Sequence, residues 1–190
     1  MPKLLKILLN ISILIFLSTE VIASPSDGSK LALEKFNDWN KKLSKEGLLI
    51  HKMKIDPSFT EVKNIPKSLG IDERFDGKDR FFKFATDSYG SILYLWYYPE
   101  LEGEAPVVTC DVSDNSADSV SENMNDYVCS IINDEDNYNK NSINFAKVEE
   151  YKNKFSKSLN CKAKPKFYFG LTKHPRFDKW LDSIDNKYQN

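Results

Sequence analysis

Histidine is nearly absent from this chain of 190 residues: His51 and His174 are the only two. General acid or base chemistry near neutral pH therefore rests on these imidazoles or on carboxylates with displaced pKa values. The chain has no Gly-x-Ser-x-Gly elbow, no His-Glu-x-x-His pair and no glycine-rich phosphate loop. These gaps remove the commonest serine-hydrolase, zinc-protease and nucleotide-binding readings. Cysteine is limited to Cys110, Cys129 and Cys161, with 18 and 31 residues between them and no paired histidines, so a zinc site is not expected. Asp134 to Tyr138 resembles the start of a calcium loop but lacks its turn glycine and closing glutamate. No metal and no cofactor are expected.

Lys and Arg are missing altogether between Phe84 and Asn139, while twelve carboxylates fall in that stretch: Asp87, Glu100, Glu102, Glu104, Asp111, Asp114, Asp118, Glu122, Asp126, Asp134, Glu135 and Asp136. From Lys140 onward the balance reverses, with 12 basic and 5 acidic residues. A one-sided block of this kind can steer a basic partner into register; the competing reading is a solvated face neutralised by the basic C-terminal third. Nucleic acid is disfavoured by the near-neutral total and by the lack of a base-stacking pattern among the C-terminal lysines.

Long apolar runs are confined to the N-terminus. Lys3 and Lys6 precede an apolar stretch from Leu8 to Leu17, and Val21, Ile22 and Ala23 follow. This order is that of a secretory signal peptide. The 14 residues from Leu4 to Leu17 fall short of the ~20 that a spanning helix needs. Cleavage after Ala23 is expected, a retained anchor being the alternative, and residues 24–190 then form one exported domain, periplasmic or secreted, with no membrane segment. Export brings the cysteines into an oxidising compartment. With Cys110 ending a strand and Cys129 about three turns into the next helix, those two stand too far apart. The expected disulfide is Cys129 with Cys161.

Apolar periodicity predicts the elements. Ala32, Phe36, Trp39 and Leu43 mark a helix ended by Gly47. A short strand is expected around Leu48 to Ile55, broken by Asp56-Pro57, and Ser58 to Arg80 reads as loop. Phe81 to Ala85, a turn at Thr86 to Gly90, and Ser91 to Tyr98 read as a hairpin whose second strand is apolar on both faces and hence central. Val107 to Val112 is the next strand. Asp118 or Ser119 is expected to cap a helix carrying Val120, Met124, Tyr127, Val128, Ile131 and Ile132. A further helix uses Phe145, Val148, Tyr151, Phe155 and Leu159. Phe167 to Leu171 reads as a strand, and Pro175 begins a last helix with Phe177, Trp180, Leu181 and Ile184 inward. The fold class is α+β, a mostly antiparallel sheet flanked by helices.

For chemistry, Cys161 with His174 is the one nucleophile and base pairing that can be drawn, and His174 before Pro175 reads more simply as part of the last helix's start. Tyr and Trp on the central strand can line a binding groove, although core packing explains them more simply. The candidate partner-binding residues are Glu100, Glu102, Glu104, Asp111, Asp114 and Asp118, with Trp96 and Tyr98.

The run Phe82-Lys83-Phe84-Ala85-Thr86-Asp87-Ser88-Tyr89-Gly90-Ser91, then Leu93-Tyr94-Leu95-Trp96, Pro106-Val107-Val108, and a helix with Asn123, Asp126-Tyr127-Val128 and Ile131 resembles the SUKH superfamily. His174-Pro175 with Phe177 and Trp180 is similar to the end of some members. The match covers Phe82 to Ile132 plus the tail. That superfamily includes bacterial immunity proteins, which neutralise polymorphic toxins, and cell-wall-assembly regulators. The resemblance implies a SUKH-like domain that binds a protein, here a basic toxin, and has no chemistry of its own. A secreted hydrolase or effector, and an envelope structural or regulatory protein, are the alternatives.

Overall fold

The computed structural model describes residues 24–62, 79–111, 116–162 and 173–188. Helix α1, Asp27–Lys45, buries Ala32, Leu33, Phe36, Trp39 and Leu43, the three-and-four spacing of a one-faced helix. Ser26 caps its start by accepting from the Ser29 amide at 3.0 Å. Gly47, at φ +69°, closes its end, with the Leu48 amide donating to the Leu43 carbonyl at 2.9 Å.

Five strands follow: β1 Lys54–Val62, β2 Arg80–Thr86, β3 Ile92–Tyr97, β4 Val107–Asp111 and β5 Ser116–Ser121. They form one sheet in the order β1-β2-β3-β4-β5, every neighbouring pair antiparallel. Helices α2 Met124–Asn133, α3 Val148–Ser158 and α4 Phe177–Tyr188 complete the described elements, with short 3-10 turns at Glu135–Asn137 and Phe145–Lys147. The architecture is α+β, an antiparallel sheet with helices, as expected.

Strand β3 is central and apolar on both sides because each side meets a different core. Leu93 and Leu95 join the larger cluster with residues of α1, α2 and α3. Tyr94 and Trp96 join a second cluster with Phe81, Val108, Cys110, Phe177 and Ile184. Phe177 lies with ring centroids 5.0 Å from Trp96 and 5.2 Å from Trp180, so α4 is fixed to the sheet by aromatic packing.

Several expectations are corrected. The strand placed around Leu48 to Ile55 begins at Lys54, and Leu49 makes only an isolated bridge to Tyr138. Asp56-Pro57 does not break β1. An edge strand can accommodate proline, the register shifts between Ile55 and Thr60, and Phe59 takes φ +53° there. The Asp56 carboxyl accepts from the hydroxyls of Ser58 and Thr60, which hold it below the usual aspartate range. The loop read from Ser58 to Arg80 therefore starts only after Val62, and residues 63–78 lie outside the described part.

The helix expected from Asp118 begins instead at Met124, and residues 116–121 pair with β4. Asn123 is the cap: it accepts from the Asp126 amide at 2.8 Å and donates to the Asp126 carboxylate at 3.0 Å. Ser119 faces Val108 in the ladder and is buried, so alternation over residues 116–121 outweighs the helical reading of Val120. The last helix begins at Phe177, two residues beyond Pro175, and the strand expected at Phe167 to Leu171 lies outside the described residues.

The Cys129–Cys161 disulfide is present, with Cα atoms 5.5 Å apart, and ties α2 to the end of α3. Cys110 is free and buried, and burial pushes its thiol up to about 12. Among the described residues no helix is long and apolar enough to cross a membrane.

Candidate protein-binding surface

The connection from β3 to β4 carries the exposed carboxylates, and its own sequence fixes its course. The Leu101 amide donates to the Tyr98 carbonyl at 3.0 Å, Gly103 takes φ +92°, and the Trp96 amide donates to the Pro106 carbonyl at 3.1 Å. Leu101 packs against the larger core and Ala105 is fully buried. The apolar residues turn inward, and Glu100 and Glu102 are left exposed. Neither forms an ion pair with a Lys or Arg among the described residues.

Glu104 has a different role. Its carboxylate accepts from the hydroxyls of Ser26 at 2.8 Å and Ser29 at 3.1 Å, at the start of α1. A carboxylate there faces the positive end of the helix dipole, so it tethers the connection to α1.

Beside this loop stands a chain of polar contacts around Tyr98, which is half-buried. Its hydroxyl lies 3.0 Å from His174 Nδ1, and His174 Nε2 lies 3.0 Å from the Glu122 carbonyl and 3.4 Å from Glu122 Oε2. The imidazole is only 6% exposed. Asp79 accepts from Trp96 Nε1 at 2.9 Å, and the Trp180 indole also reaches it. Burial raises the Asp79 carboxyl above the aspartate range, and the Glu100 charge adds to the effect. Burial likewise raises the Tyr98 phenol, with Glu100 and Glu122 contributing. Asp79, Glu100 and Glu122 thus make this end of the sheet an anionic centre around Tyr98.

His174 does not serve the start of the last helix, as the sequence reading had it. Both of its ring nitrogens are instead engaged by long-range partners, Tyr98 and Glu122. Nor does it pair with Cys161, whose sulfur is bonded to Cys129. His51 stands apart, with Nδ1 3.2 Å from Ser88 Oγ and Nε2 3.0 Å from the Tyr89 hydroxyl, and so braces the β2 to β3 turn. Among the described residues no group of three or more His, Cys, Asp or Glu side chains is placed to hold a metal ion.

The candidate binding residues do not form one surface. Glu100, Glu102 and Tyr98 lie together, and Glu104, on the same connection, is bonded to Ser26 and Ser29 at the start of α1. Asp111 lies at the opposite end of the sheet, where it accepts from Ser91 Oγ at 3.1 Å. Asp118 is exposed on the edge strand β5, opposite Thr109. Asp114 lies outside the described residues. Trp96 is fully buried and cannot meet a partner in the folded chain, because its indole fills the space between the sheet and α4. Asp126 is bonded to Asn123, the cap of α2, Asp134 caps the turn at Glu135–Asn137, and Glu135 pairs with Lys152 at 2.7 Å. Asp79 and Glu122 join the site although neither is among the candidate binding residues read from the sequence. The signal available was slight, an aspartate one residue before a strand and a glutamate just before a helix cap.

Comparison with models of protein families, with curated proteins and with solved structures finds no match for this chain.

Proposed function

We propose that the chain is an exported binding module of the immunity type, which meets a basic protein partner, a toxin, through the Tyr98 to Glu102 end of its sheet. The N-terminal segment would be removed after Ala23, and residues 24–190 would act in the periplasm or outside the cell as a SUKH-like domain without chemistry of its own. The observation that carries this reading is the exposure of Glu100 and Glu102, unpaired with any described Lys or Arg, on a connection held by buried Leu101 and Ala105. A preformed anionic surface raises the rate of encounter with a cationic protein and costs little ordering on binding. The Cys129–Cys161 disulfide supports export, since such bonds persist in oxidising compartments. The engagement of both His174 nitrogens with Tyr98 and Glu122 supports a positioning role for that residue.

The test uses the protein from an export-competent host as bait in low salt, with bound partners identified by mass spectrometry. A basic protein that elutes as salt rises, and that is lost with Glu100→Lys/Glu102→Lys, is the expected outcome. Retention of the same partner by that variant, or at high ionic strength, would remove the electrostatic argument. Turnover of a substrate abolished by His174→Ala, with stability intact, would replace the binding reading with an enzymatic one.

A further inference from the structure

The other end of α1 presents the opposite charge. A groove of about 560 Å³ runs between α1 and α3, lined by Lys35, Lys41, Lys42, Lys45, Lys154 and Phe155, with Asp38 the only acid among its described lining residues. Four of the five lysines are exposed and Lys35 is half-buried. None of them forms an ion pair with an acidic side chain among the described residues. Lys42 instead lies 4.6 Å from the centre of the Tyr151 ring. The helix dipole accounts for Lys42 and Lys45, which stand in the last turn of α1. It does not account for Lys35 and Lys41, earlier on the helix, or for Lys154 on the facing wall.

We infer that this groove is a docking site for an acidic polypeptide segment that carries apolar side chains between its carboxylates. The reasons are the shape and chemistry of the walls. From Lys35 to Lys45 the groove follows α1 for about 15 Å, the reach of roughly five residues of extended chain. Lysine stems, with the small exposed edge of Phe155, give an apolar lining beneath a cationic rim, which suits alternating apolar and acidic side chains. A flat bilayer does not fit a concave site. Nucleic-acid bases would find no stacking platform, since Tyr151 and Phe155 are both buried. The site is separate from the acidic connection, which meets the same helix at Ser26 and Ser29.

The experiment measures fluorescence anisotropy of a labelled peptide of about ten residues, alternating Glu and Leu, titrated with the full chain in low salt. A peptide with Lys in place of Glu, an oligothymidylate and vesicles containing anionic phospholipid are titrated in parallel. The variant Lys41→Glu/Lys154→Glu changes one exposed residue on each wall, and its circular dichroism and melting temperature are compared with those of the parent chain. Saturable binding of the acidic peptide, at least about tenfold weaker in the folded variant and weaker with added salt, is expected. Absence of saturable binding, equal binding by the variant, or tighter binding of the oligothymidylate or the vesicles than of the acidic peptide would each overturn the assignment.

Discussion

Reduction of the Cys129–Cys161 bond is expected to lower stability by about 3.7 kcal/mol. The bond closes a loop with a sequence separation of 32, and that figure is the chain-entropy term for a loop of this length. At a urea slope of about 2 kcal/mol per molar, the midpoint falls by roughly 2 M. The slope itself should rise, because the unfolded chain expands once the loop is open. The assay is urea denaturation followed by tryptophan fluorescence with and without reductant, mass spectrometry confirming the loss of the bond. Trp39 and Trp96 are buried in the two separate clusters, so a single transition in their summed fluorescence is expected if the helices on either side of the sheet unfold together. Equal midpoints for the oxidised and reduced chains would refute the reasoning, since the tie between α2 and α3 would then restrict nothing that matters to folding.

Phe177→Ala removes a fully buried ring between Phe81, Trp96 and Trp180 and is expected to cost about 3–5 kcal/mol, read from the same denaturation curves. Asn123→Ala deletes the cap of α2 and its bond to Asp126 and should cost about 1 kcal/mol by the same measurement, without altering the sheet. Asp79→Asn tests the buried carboxyl. Asp79 binds its proton more tightly folded than unfolded, so its contribution favours the fold below its ordinary value of 3.8 and is lost as pH rises through the raised folded value. The asparagine variant should therefore gain on the parent as pH rises from about 4. A difference between the two that stays constant with pH would show that Asp79 ionises freely.

Local periodicity found the elements whose partners are near in sequence. The helical faces of α1 and α3, the hairpin of β2 and β3 and the two-sided burial of β3 follow from spacing alone, and the Cys129–Cys161 pair follows from arithmetic and compartment. The misreadings share a different cause. Val120 fits the helical period of Met124, Tyr127 and Val128, and only the pairing of Ser119 with Val108 shows that it belongs to a strand. Asp56-Pro57 looks like a stop because proline cannot donate, yet β1 is an edge and leaves that position without a required partner. His174 could not be placed from sequence, since Tyr98 and Glu122 are 76 and 52 residues away along the chain. Trp96 reads more simply as core than as surface, and Phe177 and Trp180 close over it in the fold.

The same topology decides what the acidic stretch can do. In a meander of antiparallel strands, successive connections emerge at alternate ends of the sheet. The β3 to β4 connection, with Glu100 and Glu102, leaves at one end; the turn at Asp87 and the end of β4 at Asp111 lie at the other. A strand of six residues such as β3 separates those ends by about 20 Å, more than twice the screening length of about 8 Å at physiological ionic strength. The described carboxylates of this stretch therefore do not act as a single field on a partner. A partner drawn to the Tyr98 to Glu102 end senses chiefly Glu100, Glu102 and the half-buried Asp79 and Glu122. Its affinity should accordingly respond to charge reversal at Glu100 and Glu102 far more than at Asp111. If Asp111→Lys weakened a captured partner as much as Glu100→Lys, the contact would have to span the length of the sheet, and the binding surface would not be this end alone.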